Sequence, residues 1–223
     1  VTADRPDLVS QGITLVNKSQ PGDEVLTKTP KGILVVRKSG GTIRGIHWGE
    51  DDGEPNAPES ADILNPEVVQ RFISLTHDAY YRELKEYFGS TIIGFFTDEP
   101  SILGRNVDKM FPWTKGFAQL FTEAGGKLEK LTALFEKTEN ADTRLYNQMI
   151  LDREGGVYYA ALSSWCEQHG ICLMGHPHQS DDIEVEKYFG IPGQDLCLRW
   201  IAPEKDCLVE LDSTLGKCSA DAA

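Results

Sequence analysis

The run TIIGFF, residues 91–96, is apolar or glycine at every position after its threonine, and it follows directly on a long segment of helical period. A half-buried strand alternates apolar and polar side chains, whereas a run apolar on nearly every position is expected of a parallel strand covered on both faces. The same order returns downstream, where a helical segment ending in SSWCEQHG leads into ICLMG. Helix followed by strand, repeated, predicts right-handed parallel crossover units, the building block of doubly wound sheets and of (β/α)8 barrels. No GxGxxG and no GxxxxGK followed by Ser or Thr opens these helices, so a nucleotide-binding sheet loses its usual support and the barrel is favoured.

The helix before TIIGFF is written in NPEVVQRFISLTHDAYYRELKEYFG. Asn65 is a ready N-cap, Pro66 suits the first helical position, and Glu67 complements the helix dipole. Val69, Ile73, Thr76, Tyr80, Leu84 and Tyr87 recur at three- and four-residue spacing and predict one apolar face, with Gly89 as the stop. Helices are also expected in WTKGFAQLFTEAGG, in KLEKLTALFEK and from about Asp142 to SSWCEQHG, where Gly155 and Gly156 mark a weak point. DIEVEKYFG reads as a short helix and LCLRWIA as a further strand.

The first residues follow a different rule. ITLVNK, EVLTKT and GILVVRK are β-branched runs separated by PGD and PKG turn signals, which predicts an antiparallel β-meander over residues 1–41. Residues 42–223 are then the (β/α) barrel portion of a TIM-type fold, beginning with the strand IRGIHW and the proline-rich acidic loop GEDDGEPNAPES. A whole barrel takes about 250 residues. With its opening residues spent on a meander, this chain of 223 residues is expected to hold a partial barrel, cut short at its C-terminal end and belonging with further domains of a longer chain.

A formal net charge of −13 argues against nucleic acid, whose binding rests on Lys and Arg at phosphates. The apolar runs fall well short of the roughly 20 residues of a membrane span, so no membrane partner is expected. Cys166, Cys172, Cys197, Cys207 and Cys218 are an odd set without CxxC spacing, which reads as separate free thiols in a reducing, cytoplasmic setting.

In parallel α/β folds the functional face lies at the carboxyl ends of the strands. Asp98 and Glu99 stand at that end of TIIGFF, followed by the stiff Pro100. Alternation aims one of the two acids into a barrel interior and the other at the helix layer. Glu99 is the candidate proton donor or nucleophile; capping or pairing with a lysine is the plainer reading of these acids. GHPHQSDD follows the strand ICLM, and its His176 and His178 suit hydroxyl binding, proton transfer or metal ligation. The plainer alternative there is that Ser180 and Asp181 cap the next helix. In IHWGEDDGEP, Trp48 offers a stacking face or a core residue, His47 and Glu50 could join a pocket, and Glu50, Asp51 and Asp52 lack EF-hand spacing. Arg199, beside Trp200, is a further substrate-binding candidate.

Taken together, GIHWGEDDGEPNAPESADILNPEVVQRFISLTHDAYY, STIIGFFTDEPS and WCEQHGICLMGHPHQSDD resemble a bacterial family of large multidomain glycoside-hydrolase-like proteins, similar to the α-L-rhamnosidases of glycoside hydrolase family 106. The resemblance runs from Thr42 to the C-terminus. It implies a (β/α)8 barrel, often accompanied by β-sandwich domains, acting on a glycosidic bond of a carbohydrate substrate. TDEP is also similar to the strand-end motif of the broad barrel glycosidase clan, in which a glutamate before proline is the general acid; this carries over to Glu99 alone. Asp98 stands where that motif has asparagine, which unsettles the usual contact with a sugar 2-hydroxyl. The resemblance implies no organic cofactor and leaves room for a calcium ion without assigning its ligands.

Glycosidases generally need two carboxyl groups, and one convincing strand-end acid is visible, so the second carboxylate is expected beyond the chain's end. The leading expectation is therefore a carbohydrate-active hydrolase. Its alternatives are a non-catalytic carbohydrate-binding or scaffold domain, and a metal-dependent hydrolase centred on His176, His178 and nearby acids.

Overall fold

The computed structural model describes residues 1–43, 57–178 and 182–193. In chain order its elements are β1 (Gln11–Val16), β2 (Glu24–Thr29), β3 (Gly32–Lys38), α1 (Pro66–Leu75), α2 (His77–Leu84), β4 (Gly94–Asp98), β5 (Phe111–Trp113), α3 (Phe117–Glu123), α4 (Thr132–Phe135), α5 (Ala141–Glu154), α6 (Ala160–Gln168), β6 (Cys172–His176), α7 (Ile183–Glu186) and β7 (Ile191–Pro192). The chain divides into two units, Val1–Phe72 with Ile102–Val157 and Ile73–Ser101 with Tyr158–Ala223.

The first unit is built on an antiparallel sheet of order β2-β3-β1-β5. The strands expected near the N-terminus are present, but β1 pairs with β3 rather than with β2, so they do not form a meander. The reason lies in the turns and in β3. Gly32, at a φ of 141°, closes the tight β2–β3 hairpin, while the residues between β1 and β2 form a longer loop. Leu34, Val35 and Val36 are buried in succession, so β3 takes an interior place beside β1, with a partner on each edge. Trp113, expected to lead a helix, instead pairs with Gln11 across β5 and β1. It packs edge-on against Phe117 at 4.8 Å, and the Tyr146 hydroxyl donates to the Pro112 carbonyl at 2.6 Å, tying α3 and α5 to the sheet. Ile13, Leu34, Leu64, Phe121 and Leu131 complete this core. The start of α5 is fixed by a capping box in which Asn140 and Thr143 exchange side-chain-to-backbone hydrogen bonds.

The second unit holds a parallel sheet of order β4-β6-β7. Here the expectation of a (β/α)8 barrel is corrected: among the described residues the three parallel strands form an open sheet, the four antiparallel strands a separate one, and no barrel closes. β4 shows why its sequence misleads. Its burial alternates, with Thr97 buried and Phe96 and Asp98 exposed, so an unbroken apolar run here covers one sheet face only. LCLRWIA and, apart from Ile43, IRGIHW, both expected from sequence as barrel strands, lie outside the described residues.

The single long helix expected before β4 is two. Asn65 caps α1 by accepting from the Glu67 amide at 3.0 Å, but Thr76, at φ −115° and ψ −68°, interrupts the helix. Its hydroxyl bonds the Nδ1 of His77 at 2.8 Å. Past the break His77 is the buried residue, while Tyr80 and Tyr87 of the expected apolar face are exposed. The buried face of β4 meets this layer through Phe95, whose ring lies 4.6 Å from His77 and 5.7 Å from Trp165 of α6. Trp165 in turn donates to Asp78 at 2.8 Å. Among the described residues no helix is long and apolar enough to cross a membrane.

Candidate acid–base site

β4 and β6 run parallel in a register that pairs Gly94 with Cys172 and Asp98 with His176. Two strand-end residues that are far apart in sequence thus meet at the carboxyl edge of the sheet. His176 Nε2 lies 3.3 Å from Asp98 Oδ1, with the imidazole 10% exposed and the carboxylate 56% exposed. The ring is therefore set into the protein and the acid faces solvent. A carboxylate at Nε2 favours a proton on that nitrogen, which leaves Nδ1 as the acceptor of the neutral ring.

Two features fix this edge. Beneath Asp98, the Thr97 hydroxyl and the Tyr158 hydroxyl share a buried hydrogen bond of 3.2 Å. Tyr158 sits in a π-helical turn, Gly155–Tyr159, between α5 and α6, where the two glycines had suggested a break. Such turns widen the helix by one residue and recur at functional sites. Across the strands, Gly175 has a φ of 122°, and a Cβ on it would lie 2.0 Å from the Thr97 carbonyl oxygen. A glycine is required there for β6 to approach β4 one residue before His176.

Glu99 follows Asp98 with a φ of 44°, half-buried and directly ahead of Pro100. A residue before proline is normally held extended, and a left-handed non-glycine residue costs on the order of 1–3 kcal/mol. The turn at Glu99 also ends the strand's alternation, so the simple rule that sends Asp98 and Glu99 to opposite faces stops at Asp98. His178 is exposed two residues beyond His176. His47, Trp48, Glu50, Asp51, Asp52, Ser180, Asp181, Arg199 and Trp200 lie outside the described residues; the N-cap position of α7 is held by Asp182.

Neither Tyr158 nor Phe96 is singled out by the sequence, which places Phe96 inside a run expected to be covered on both faces. The signal for Phe96 was its parity with Asp98, two residues away on the same strand face. Buried titratable groups elsewhere read as structural. Burial pushes the Cys166 thiol up to about 11, as suits an unreactive core cysteine. In the first unit, burial pushes Asp62 up to about 6 against hydrogen bonds from Thr114 Oγ1 at 2.6 Å and the Leu64 amide at 3.1 Å. In the second, burial holds His77 down at about 4. A cavity of about 550 Å³ in the first unit is lined by Lys28, Lys31, Glu136 and Asn140 among others, and Lys31 is paired there with Glu136 at 2.7 Å. No group of three or more His, Cys, Asp and Glu side chains placed to hold a metal occurs among the described residues. Comparison of the chain with protein-family models, curated proteins and solved structures finds no match.

Proposed function

We propose that the protein is a carbohydrate-active hydrolase that cleaves a glycosidic bond by general acid–base chemistry at the carboxyl ends of β4 and β6. The observation that supports this reading is the Asp98–His176 pair at 3.3 Å, immediately before Glu99 in its strained left-handed conformation. Strain of this kind clusters where a side chain must be aimed, and acids paired with imidazole at the carboxyl edge of parallel strands are suited to proton transfer.

In the proposed reaction, Glu99 in its acid form protonates the glycosidic oxygen as the bond from that oxygen to the anomeric carbon breaks. A water molecule adds to the anomeric carbon. The proton it releases is taken by His176, which Asp98 orients and whose charge the carboxylate offsets. Glu99 is left ionised and His176 protonated, and both are reset by exchange with solvent. The chemistry calls for no organic cofactor.

The test is hydrolysis of a panel of aryl glycosides, α-L-rhamnoside included, by the wild-type chain and by Glu99→Gln. Loss of a general acid costs about a hundredfold or more in kcat. A loss of that size with an unchanged melting temperature supports the role. Unchanged turnover removes Glu99 from the chemistry, and the absence of turnover on every glycoside turns the site into a binding surface.

A further inference from the structure

The face of β4 that bears Asp98 carries more than the acid. By alternation Gly94, Phe96 and Asp98 share it, opposite Cys172, Met174 and His176 of β6. The other face is committed to the fold, through Phe95 in the aromatic layer and Thr97 on Tyr158. Phe96 is not committed: it is 61% exposed, and its ring stands edge-on to that of His176 at 5.9 Å. Met174, its partner in the register, packs over Gly94, where a Cβ would lie 2.7 Å from the methionine Cγ and Sδ.

A lone exposed apolar residue needs no explanation. This one differs in its position, one step below the acid–imidazole pair on the same face. Residues i and i+2 of a strand are about 7 Å apart, so a six-membered ring lying on Phe96 would bring an edge hydroxyl to Asp98. An aromatic face is electron-rich and attracts polarised hydrogens, and the C–H groups along one face of a pyranose supply them. Phenylalanine adds no polar atom to compete for the hydroxyls, and with few rotatable bonds it costs little entropy to order.

The geometry points to Phe96 as the platform of the substrate site: it stacks against the C–H face of a pyranose ring whose edge hydroxyl bonds Asp98. This assignment rests on the reading of that pair as facing a carbohydrate. It names the ligand class as pyranosides with one continuous C–H face, and it sets Phe96 as a residue of binding, not of proton transfer.

Calorimetric titration with a panel of methyl pyranosides tests it in the Glu99→Gln background, where turnover does not interfere, alongside the wild-type chain. Phe96→Ala weakens binding by about tenfold or more, the loss of one aromatic contact worth about 1.4 kcal/mol. Phe96→Trp retains binding, and Phe96→Leu, apolar but without a ring face, weakens it like alanine. The exposure of Phe96 predicts unchanged melting temperatures for all three. Equal affinity in Phe96→Ala overturns the platform, as does equal binding of cyclohexanol, which would show a general apolar patch, or no pyranoside binding by any form. Phe96-dependent binding without hydrolysis by the wild-type chain would overturn the hydrolytic reading and leave the platform standing.

Discussion

Replacing Asp62 by asparagine should stabilise the first unit, and by an amount that depends on pH. Asp62 is 3% exposed, and burial raises its carboxyl from 3.8 to about 6 in spite of the Thr114 and Leu64 hydrogen bonds and the charge of Arg153. A raised carboxyl value means that the fold holds the proton more tightly than the unfolded chain does. The sign follows: the favourable, neutral form is complete below about pH 4, and the advantage is lost as pH rises through about 6. The difference of about two units, at about 1.4 kcal/mol each, makes ionised Asp62 cost about 3 kcal/mol at pH 8. The substituted asparagine has no charge to bury. Its Oδ1 still accepts from the Leu64 amide, and the Thr114 hydroxyl turns to accept from Nδ2, a change that costs up to about 1 kcal/mol. Asp62→Asn should therefore gain about 2–3 kcal/mol at pH 8 and close to nothing at pH 4. Pulse-labelled hydrogen exchange of the β1 and β3 peptides across a urea series reads this unit by itself. A gain that is the same at both pH values, or a loss at pH 8, would refute the reasoning.

Two further perturbations bear on the second unit. His77 is 5% exposed and held down at about 4 by burial, so the unit favours the neutral ring; its stability is complete above about pH 6.5 and falls by about 3 kcal/mol as pH drops through 4. His77→Phe keeps the contacts to Phe95 and Trp165, and exchange of the β6 peptide should then lose most of that acid sensitivity. Gly175→Ala puts a methyl group 2.0 Å from the Thr97 carbonyl at a φ of 122°, and should cost at least about 2 kcal/mol and separate Asp98 from His176. Its check is a lowered melting temperature together with a changed imidazole NMR signal; normal values of both would mean that the strands tolerate a wider spacing.

Local chemistry was legible in the sequence wherever one residue type answers one backbone need. Asn65 caps α1 as its position suggests, and the PKG turn closes the β2–β3 hairpin. GFFTD and CLMGH are parallel neighbours, as helix–strand order suggested, and their register is what brings Asp98 to His176. What escaped depended on what lies across a face. The apolar run of β4 has the composition of a doubly covered strand, yet Phe96 is exposed; nothing within six residues records whether a second layer exists. That β3 rather than β2 lies beside β1 is a long-range contact that a turn signal does not encode. The helix break at Thr76 lies in that residue's backbone angles, and the π turn at Gly155 carries the helix through the weak point that the two glycines mark. Glu99 was singled out by its place before Pro100, but its left-handed backbone is a property of the folded turn.

The central claim, that Glu99 gives its proton to a departing glycosidic oxygen, is tested most directly by leaving-group dependence. The kcat/KM of wild type and of Glu99→Gln is measured on matched dinitrophenyl, nitrophenyl, phenyl and methyl glycosides of one sugar. Dinitrophenolate departs without a proton and methoxide does not. The account predicts little loss on the dinitrophenyl substrate and a loss that grows to a hundredfold or more as the leaving group becomes more basic. A loss of one size on all four would contradict it.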